Sequence, residues 1–287
     1  MSKQLPGPGE VFLDHTAFFV PEMDVAAAIL EACGFRLTPF TVQANREGDK
    51  TVPSGTGNRC AMLGEGYIEL LTATSDTPLA TQLRERIADH AGIHLAALST
   101  ADAAAEHRRL GASGFPTLPL VDMRRPVGDD FARFSIARIA HGTMPEGRAQ
   151  FLTHHTERLV WLPDMLIHPN GAEALDGLWI AADDPAEVAV RYARFTGRAA
   201  MPNGPLATID LDRGRLVVMT PEFLSQTYGI EPAGNLPCFV AASVRVSSLA
   251  AVKKLLDASE LRHRFRHRSL VVDLPGALGD ALIFHTA

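Results

Sequence analysis

Cysteine is scarce in this sequence. The chain of 287 residues has three cysteines, Cys33, Cys60 and Cys238, and no CxxC pair. An odd number of widely spaced cysteines argues against a disulfide framework and against a thiolate zinc site. Reduced thiols in a cytoplasmic protein are the simpler expectation.

Positive charge and long apolar segments are also lacking. Lys and Arg total 27 against 33 Asp and Glu, which gives a net charge of −6. A nucleic-acid partner needs a basic surface, so this balance argues against one. No run approaches the ~18 apolar residues of a membrane span, and residues 1–10 lack the apolar core of a signal peptide. We therefore expect a cytoplasmic protein with no membrane partner.

Several common catalytic signatures are absent as well. The sequence contains no P-loop, GxGxxG, HExxH or GxSxG motif. Those motifs bind nucleotides, hold zinc in peptidases or present a serine nucleophile. Nucleotide-binding, zinc-peptidase and serine-hydrolase functions therefore lack support in this chain.

The sequence does contain a repeated pattern of a strand, a helix and three strands. The first copy starts with an apolar strand over 13–20 and continues with a helix over 24–32. An extended segment over 36–43 is the first of the three strands. Residues 44–57 have no apolar periodicity and are predicted to form a loop. Two strands follow over 58–63 and 67–71, joined by a glycine turn.

Later segments repeat this order. A second copy opens with the strand 93–98, a third with 175–180 and a fourth with 238–246. One copy leaves an open concave face, and two copies side by side close it into a cup, because such repeats need partners to bury their cores. We therefore predict an α+β fold of four βαβββ modules, paired into two cupped sheets over residues 10–160 and 175–287.

Histidine and glutamate occupy equivalent strands of the first two modules. His15 and His94 lie on the first strands, 79 residues apart, and Glu69 and His154 lie on the last strands. Side chains alternate along a strand, so Glu69 points into the cup, where an unpaired carboxylate is costly. A divalent metal would offset that cost, and imidazole with carboxylate suits zinc, iron, nickel or manganese. These four residues are the predicted metal ligands, and Glu69 is the predicted catalytic carboxylate.

Alternatives to this metal site stay open. A strand histidine such as His15 is also common as a buried core residue. Glu69 can be met by Arg59 or by a donor group of the substrate instead of a metal. His154 and His155 are adjacent and face opposite ways, and we expect His154 to be the inward one.

A glycine turn next to the predicted site offers contacts to a substrate. Residues 55–59, Gly-Thr-Gly-Asn-Arg, lead into a strand. Their backbone amides can meet an anionic substrate, and Arg59 adds charge there. We predict Asn58, Arg59 and Tyr67, which shares the inward face of Glu69, as substrate-binding residues.

Three stretches make the chain resemble the vicinal oxygen chelate superfamily and, within it, the glyoxalase-like proteins of bacteria. They are residues 13–35, from Leu-Asp-His to Gly-Phe, residues 55–70, and residues 154–172, from His-His-Thr-Glu-Arg to His-Pro-Asn-Gly-Ala. The resemblance implies modules paired in the manner of that superfamily, with a divalent metal in the N-terminal cup.

Residue by residue, the resemblance carries a ligand role to His15, Glu69 and His94. The fourth ligand would lie at or near His154, where the superfamily usually has a second glutamate. Gly177 stands where the third module would need a ligand, which limits the site to the N-terminal half. The C-terminal pair would then support the site or form a homodimer.

The implied function is a metal-dependent lyase or isomerase. Its substrate would be a small molecule that chelates the metal through two vicinal oxygens, and Glu69 would act as a ligand or as the proton-transfer base. Two alternatives remain, an iron-dependent ring-cleaving dioxygenase of the extradiol type and a metal-free protein that binds a small molecule.

Overall fold

The computed structural model describes residues 4–47 and 50–287. In the N-terminal half the strands are β1 Val11–Phe19, β2 Thr41–Glu47, β3 Lys50–Met62, β4 Tyr67–Ala73, β5 Gly92–Thr100, β6 Val121–Val127, β7 Asp130–Arg138 and β8 Arg148–His154. In the C-terminal half they are β9 Ala172–Ala181, β10 Ala200–Asn203, β11 Leu206–Asp210, β12 Arg215–Met219, β13 Cys238–Val246, β14 His263–Arg266, β15 Ser269–Asp273 and β16 Ala281–His285. The helices are α1 Met23–Ala32, α2 Pro78–Asp89, α3 Ala103–Ala112, α4 Pro185–Thr196, α5 Pro221–Tyr228 and α6 Leu249–Asp257.

The four-module α+β architecture is confirmed. A strand, a helix and three strands recur as β1-α1-β2-β3-β4, β5-α3-β6-β7-β8, β9-α4-β10-β11-β12 and β13-α6-β14-β15-β16. The remaining helices, α2 and α5, connect the modules within each half.

The first two modules close into a barrel with the strand order β1-β4-β3-β2-β6-β7-β8-β5. β1 pairs in parallel with β4 and antiparallel with β5, so the modules meet along their first strands. The barrel closes between β2 and β6, where Ala44 lies opposite Arg124. Residues inside a barrel alternate with residues outside it along every strand, which defines the inward positions used below.

The last two modules form an open eight-stranded sheet with the order β10-β11-β12-β9-β13-β16-β15-β14. β9 and β13 pair antiparallel at its centre, as β1 and β5 do in the barrel. Leu224 of α5 belongs to an apolar cluster with Trp179 of β9 and Val217 of β12. One face of this sheet is therefore covered by its own connecting helix.

One apolar core joins the two halves. Leu13 and Phe18 of β1 belong to the same buried cluster as Ile180 of β9 and Phe239 of β13. The outer wall of the barrel thus packs against the second sheet, while the barrel interior forms a separate cluster. Within the described ranges, no helix has the length and apolar character needed to cross a membrane.

Part of the segment predicted as a loop, residues 44–57, lies in the hairpin of β2 and β3 instead. The apolar periodicity is missing because the inward face of β3 carries buried polar residues such as Thr56 and Asn58. The predicted glycine turn lies inside β3. A Cβ atom at Gly57 would lie 2.3 Å from the ring of Phe40, so glycine permits a close approach here.

Candidate active site

The barrel encloses a cavity of about 180 Å³. Pockets for drug-sized ligands span about 300–1,000 Å³, so this space suits a small substrate. Its apolar lining includes Leu95, Phe134, Ile136 and Leu152, and its polar lining includes His15, Thr56, Asn58 and Glu69.

A β-bulge in β1 brings two adjacent residues into one cluster. The pairing of β1 with β5 shifts between Leu13 and His15, which leaves Asp14 as the extra residue. His15 Nδ1 donates to Asp14 Oδ1 at 2.7 Å, and His154 Nε2 donates to Asp14 Oδ2 at 2.8 Å. All three side chains are buried. Asp14 therefore connects β1 to the end of β8.

The charge of Asp14 determines which nitrogen of His15 faces the cavity. Burial disfavours the carboxylate, but His154 and His15 outweigh that effect and hold the pKa of Asp14 well below its ordinary 3.8. An ionised carboxylate only accepts hydrogen bonds, so we assign the proton of neutral His15 to Nδ1. His15 then presents an unprotonated Nε2 to the cavity.

Glu69 lies beside this nitrogen. Its Oε1 accepts hydrogen bonds from Asn58 Nδ2 at 2.5 Å and from Gln43 Nε2 at 3.1 Å. Its Oε2 lies 3.7 Å from His15 Nε2. Tyr67 stacks on the imidazole of His15 with 4.3 Å between ring centroids, which fixes the plane of that ring. Two atoms able to carry a proton thus face the cavity side by side.

The structure brings most of the predicted site residues together. His154 is buried and faces inward. His155, the next residue of the strand, faces the opposite way: it is exposed, and its Nε2 contacts Ser135 outside the barrel. Among the described residues, the His154 ring has one hydrogen bond, the one to Asp14, and its buried Nδ1 has no partner. The predicted residues that meet here are His15, Asn58, Tyr67, Glu69 and His154.

His94 does not join this cluster. A second bulge in the β1–β5 pairing, where Ile93 and Leu95 lie opposite consecutive residues of β1, leaves His94 as the extra residue. Its Nε2 donates to the backbone oxygen of His90 at 2.9 Å, and burial lowers the pKa of His94 to about 4. Leu95 lines the cavity instead. This placement differs from the ligand position predicted for His94, because a shift of one residue along a strand reverses the side-chain direction.

The two bulges show which residues of the first two modules are equivalent. Asp14 and His94, the two bulged residues, are 80 residues apart, as are Gly34 and Gly114 after the following helices. The same offset makes Leu95 the counterpart of His15.

The last strands extend this equivalence. Ala17 lies opposite Glu69 of β4, and Ala97, 80 residues later, lies opposite Gln150 of β8. Gln150 also lines the cavity, so it is the counterpart of Glu69.

Arg59 also lies away from the cavity. It alternates with Asn58 along β3 and faces outward, where its Nε donates to the oxygen of Thr38 at 3.0 Å. Its Nη2 contacts Glu31 of α1 at 3.1 Å. Arg59 therefore neither neutralises Glu69 nor reaches a ligand inside the barrel.

The side chains at this site do not fit the predicted four-ligand metal centre. His15 Nε2 and Glu69 Oε2 are suitable donor atoms, but Leu95 has none and His154 is not among the described residues that line the cavity. Catalytic zinc takes three protein ligands, and two strong donors fall short of that number. Among the described side chains, those of residues 4–44 and 52–287, no three His, Cys, Asp or Glu are grouped to hold a metal ion.

Several residues of the site were not predicted. Asp14 was not predicted because regular alternation along the strand would turn its side chain away from that of His15. The β-bulge that brings them together cannot be recognised from the sequence of a single strand. Arg138 and Arg148, at the end of β7 and the start of β8, line the cavity as well. The 80-residue interval between Gly34 and Gly114 is the signal that would have exposed the register of the second module.

Comparison with known proteins identifies the family. The model of the glyoxalase-like domain matches residues 13–196, which include the barrel apart from the first two residues of β1, and the first strand and helix of the third module. The chain belongs to the glyoxalase-like domain family. The expected membership in the vicinal oxygen chelate superfamily is thereby confirmed. No curated protein matches this glyoxalase-like chain.

Solved structures share the fold of this glyoxalase-like protein at low sequence identity. A hypothetical protein from Staphylococcus aureus aligns with a TM-score of 0.65 and 12% identity over 96% of this chain and 99% of its own. A mutant of 4-hydroxymandelate synthase from Streptomyces coelicolor aligns with a TM-score of 0.50 and 14% identity over 96% and 91%. A xylose isomerase-like TIM barrel/4-hydroxyphenylpyruvate dioxygenase fusion protein aligns with a TM-score of 0.56 and 14% identity, over 99% of this chain and 51% of its own.

Proposed function

We propose that this glyoxalase-like protein is an acid–base enzyme of the isomerase or lyase class, acting on a small oxygenated substrate inside the barrel. The supporting observation is the pair formed by His15 Nε2 and Glu69 Oε2, which lie 3.7 Å apart at the cavity. One of these groups can take a proton from a substrate carbon and, once protonated, give that proton to the neighbouring atom in an isomerisation or to the leaving oxygen in an elimination. The protein is proposed to work in the cytoplasm, and a homodimer remains part of the proposal.

The surroundings of His15 suit it to the role of base. Asp14 accepts the Nδ1 proton at 2.7 Å and orients the ring, so that the lone pair on Nε2 faces the substrate. Tyr67 holds the imidazole plane from one side. Burial, with Asp14 and Glu69 nearby, raises the pKa of Tyr67 well above 10, so its hydroxyl keeps its proton at neutral pH.

Hydrogen bonds fix the position of Glu69, the second proton-transfer group of the proposal. Asn58 and Gln43 both donate to its Oε1, and Thr56 Oγ1 in turn donates to the side-chain oxygen of Gln43 at 2.7 Å. This chain of hydrogen bonds fixes the carboxylate and leaves Oε2 toward His15. A developing negative charge on the substrate would be met by the imidazolium that His15 becomes after taking a proton.

A metal-assisted reaction is the second candidate, because the superfamily includes proteins that use a metal. His15 and Glu69 would supply two ligands, and Leu95 and Gln150 occupy the equivalent positions of the second module. A divalent metal on His15 and Glu69 alone would be held weakly. A ring-cleaving dioxygenase has less support, because the second histidine predicted for its iron, His94, lies outside the cavity. A metal-free binding protein would use the cavity without proton transfer.

Proton exchange tests the proposal directly. Small 2-hydroxyaldehydes, 2-hydroxyketones and 2-oxoacids are incubated with metal-free protein in D2O, and exchange of the α-proton is followed by NMR. We expect exchange with at least one compound, slowed at least about hundredfold by Glu69→Gln and by His15→Gln, the usual scale of a lost acid–base group. His155→Gln, on the outward face of the same barrel, is the matched control and should exchange at the wild-type rate.

The outcomes separate the candidates. Exchange that Glu69→Gln and His15→Gln leave intact would overturn the acid–base role. Exchange that appears only after zinc, nickel or manganese is added would support the metal-assisted reaction. Ring cleavage with one iron per chain would support the dioxygenase, and binding without exchange would support the binding protein.

A further inference from the structure

The cavity is far more basic than the protein around it. The chain has a net charge of −6, yet the described residues lining the cavity include four arginines and a single carboxylate, that of Glu69. The arginines are Arg124, Arg125, Arg138 and Arg148. The excess positive charge inside the barrel has no part in the proton transfer proposed above, so it calls for a separate role.

Arg138 and Arg148 are the clearest members of this group. Among the described side chains, those of residues 4–44 and 52–287, neither has a carboxylate within ion-pair distance, and the Nε of Arg138 has no hydrogen-bond partner. Arg148 makes one long hydrogen bond, 3.4 Å from Nη2 to the oxygen of Leu79, and lies over the ring of Phe19 at 5.2 Å. The acid closest in sequence, Glu146, is taken by Arg191 at 2.8 Å.

Two unpaired guanidinium groups facing one small cavity repel each other. Burial lowers the pKa of Arg148 to about 10, with Arg138 and Arg86 adding to the effect, so Arg148 is still charged at neutral pH. Uncompensated charge in a buried site is unfavourable, and a bound anion relieves it. Arginine suits that task because its planar donors match carboxylate and phosphate oxygens.

The strand register places this basic end within reach of the acid–base pair. Glu69 lies opposite Ala17, Ala17 opposite Leu95, and Leu95 opposite Arg148. Three strand spacings of roughly 4.8 Å amount to about 14 Å along the barrel wall, and the direct path through the cavity is shorter. Because both ends line one cavity of about 180 Å³, a single small molecule that fills the cavity can touch both.

We infer that Arg138 and Arg148 bind an anionic oxygen group of the substrate, a carboxylate or a phosphate, while its oxygenated carbon lies at His15 and Glu69. The inference rests on the proposed function for the second half of that statement, and the anion site itself stands on the arginines. The substrate class is then a small hydroxy or oxo compound that carries one acidic group.

Calorimetric titration tests the anion site without knowledge of the substrate. Succinate, inorganic phosphate and the neutral analogue succinamide are titrated into wild-type protein at low and high salt. We expect one of the anions to bind and succinamide not to bind. Arg148→Met and Arg138→Met should each weaken anion binding about ten- to hundredfold, the scale of a charge-assisted hydrogen bond. Arg215→Met, an exposed arginine of the second sheet, is the matched control and should bind as wild type does.

The results discriminate between sources and between proposals. Tighter binding of succinate indicates a carboxylate and tighter binding of phosphate indicates a phosphoryl group, and either supports the inference. Failure of both anions to bind wild type, or equal binding by Arg148→Met, overturns it. If His15→Gln binds the anion and also keeps full proton exchange, the acid–base function fails while the anion site stands.

Discussion

The barrel and the second sheet place different side chains at the same point of the same motif. Leu-Asp-His over 13–15 in β1 corresponds to Leu-Asp-Gly over 175–177 in β9, and both aspartates lie on a bulge. In the barrel, Asp14 joins His154 at the end of β8. In the second sheet, Asp176 joins His285 at the end of β16 at 2.7 Å.

The Asp–His contact present in both halves supports the fold, whereas the residues found only in the barrel form the candidate site. A histidine on the last strand bound to a bulged aspartate on the first strand occurs in both halves, although only the barrel has the cavity described above. His154 therefore has a structural role as a brace between strands, and it is not among the described residues that line the cavity. His15 and Glu69 are what the barrel adds.

In the second sheet, large apolar side chains occupy the positions that face the cavity in the barrel. Trp179 stands at the position equivalent to Ala17, and Val217 stands at the position equivalent to Glu69. Leu224 of α5 packs into the same cluster. A cavity and its polar side chains are therefore retained together or lost together, because buried carboxylates need either solvent or partners.

The largest effect is expected from placing the missing histidine in the second sheet. A Cβ at Gly177 would lie 2.2 Å from Ser243 Oγ, and Trp179 Nε1 is 3.3 Å away. Gly177→His should lower the free energy of unfolding by about 3–5 kcal/mol, from overpacking together with an unpaired imidazole. Urea unfolding measures it, and Ser243→Ala in the same chain should restore part of the loss. A loss below about 1 kcal/mol would show that the sheet has room for a site.

A smaller loss is expected from the barrel brace. Asp14→Asn should cost about 2–3 kcal/mol at pH 7, because one of two buried histidines loses its acceptor. Asp176→Asn, whose partner His285 has a side chain that is 29% exposed, should cost less than about 1 kcal/mol.

The pH dependence checks the same prediction. The pKa of Asp14 is lowered in the folded protein, so its contribution is present above the unfolded value near 3.8 and is lost as the pH falls below that value. The stability difference between wild type and Asp14→Asn should therefore shrink below about pH 4 in urea unfolding series. An equal loss from both variants at pH 7 would contradict the distinction between the halves.

The last variant restores symmetry inside the barrel, and its expected effect is on metal affinity and not on stability. Leu95→His with Gln150→Glu gives the second module the counterparts of His15 and Glu69. The double variant should bind zinc at least about hundredfold more tightly than wild type, because four strong donors then meet where two did. Calorimetric titration of untagged protein measures this gain, and adding His15→Ala should remove most of it. No gain would mean that the two modules do not direct these positions to one point.

Part of the site could be predicted from strand alternation alone. His154 faces inward and His155 outward, as alternation requires within one uninterrupted strand. Glu69 faces inward for the same reason. His94 could not be placed in this way, because alternation fails across a bulge and an error of one residue reverses the face.

The sequence by itself determined the four modules, their pairing and the two residues, His15 and Glu69, at the centre of the site, because periodicity and repetition are written locally in the chain. The tertiary structure alone decided that Leu95 replaces His94 at the cavity and that Asp14 orients His15. Only barrel closure brought the arginines at the end of β7 and the start of β8 to the same cavity. These features depend on register between distant strands, and register is fixed by packing and not by the local pattern.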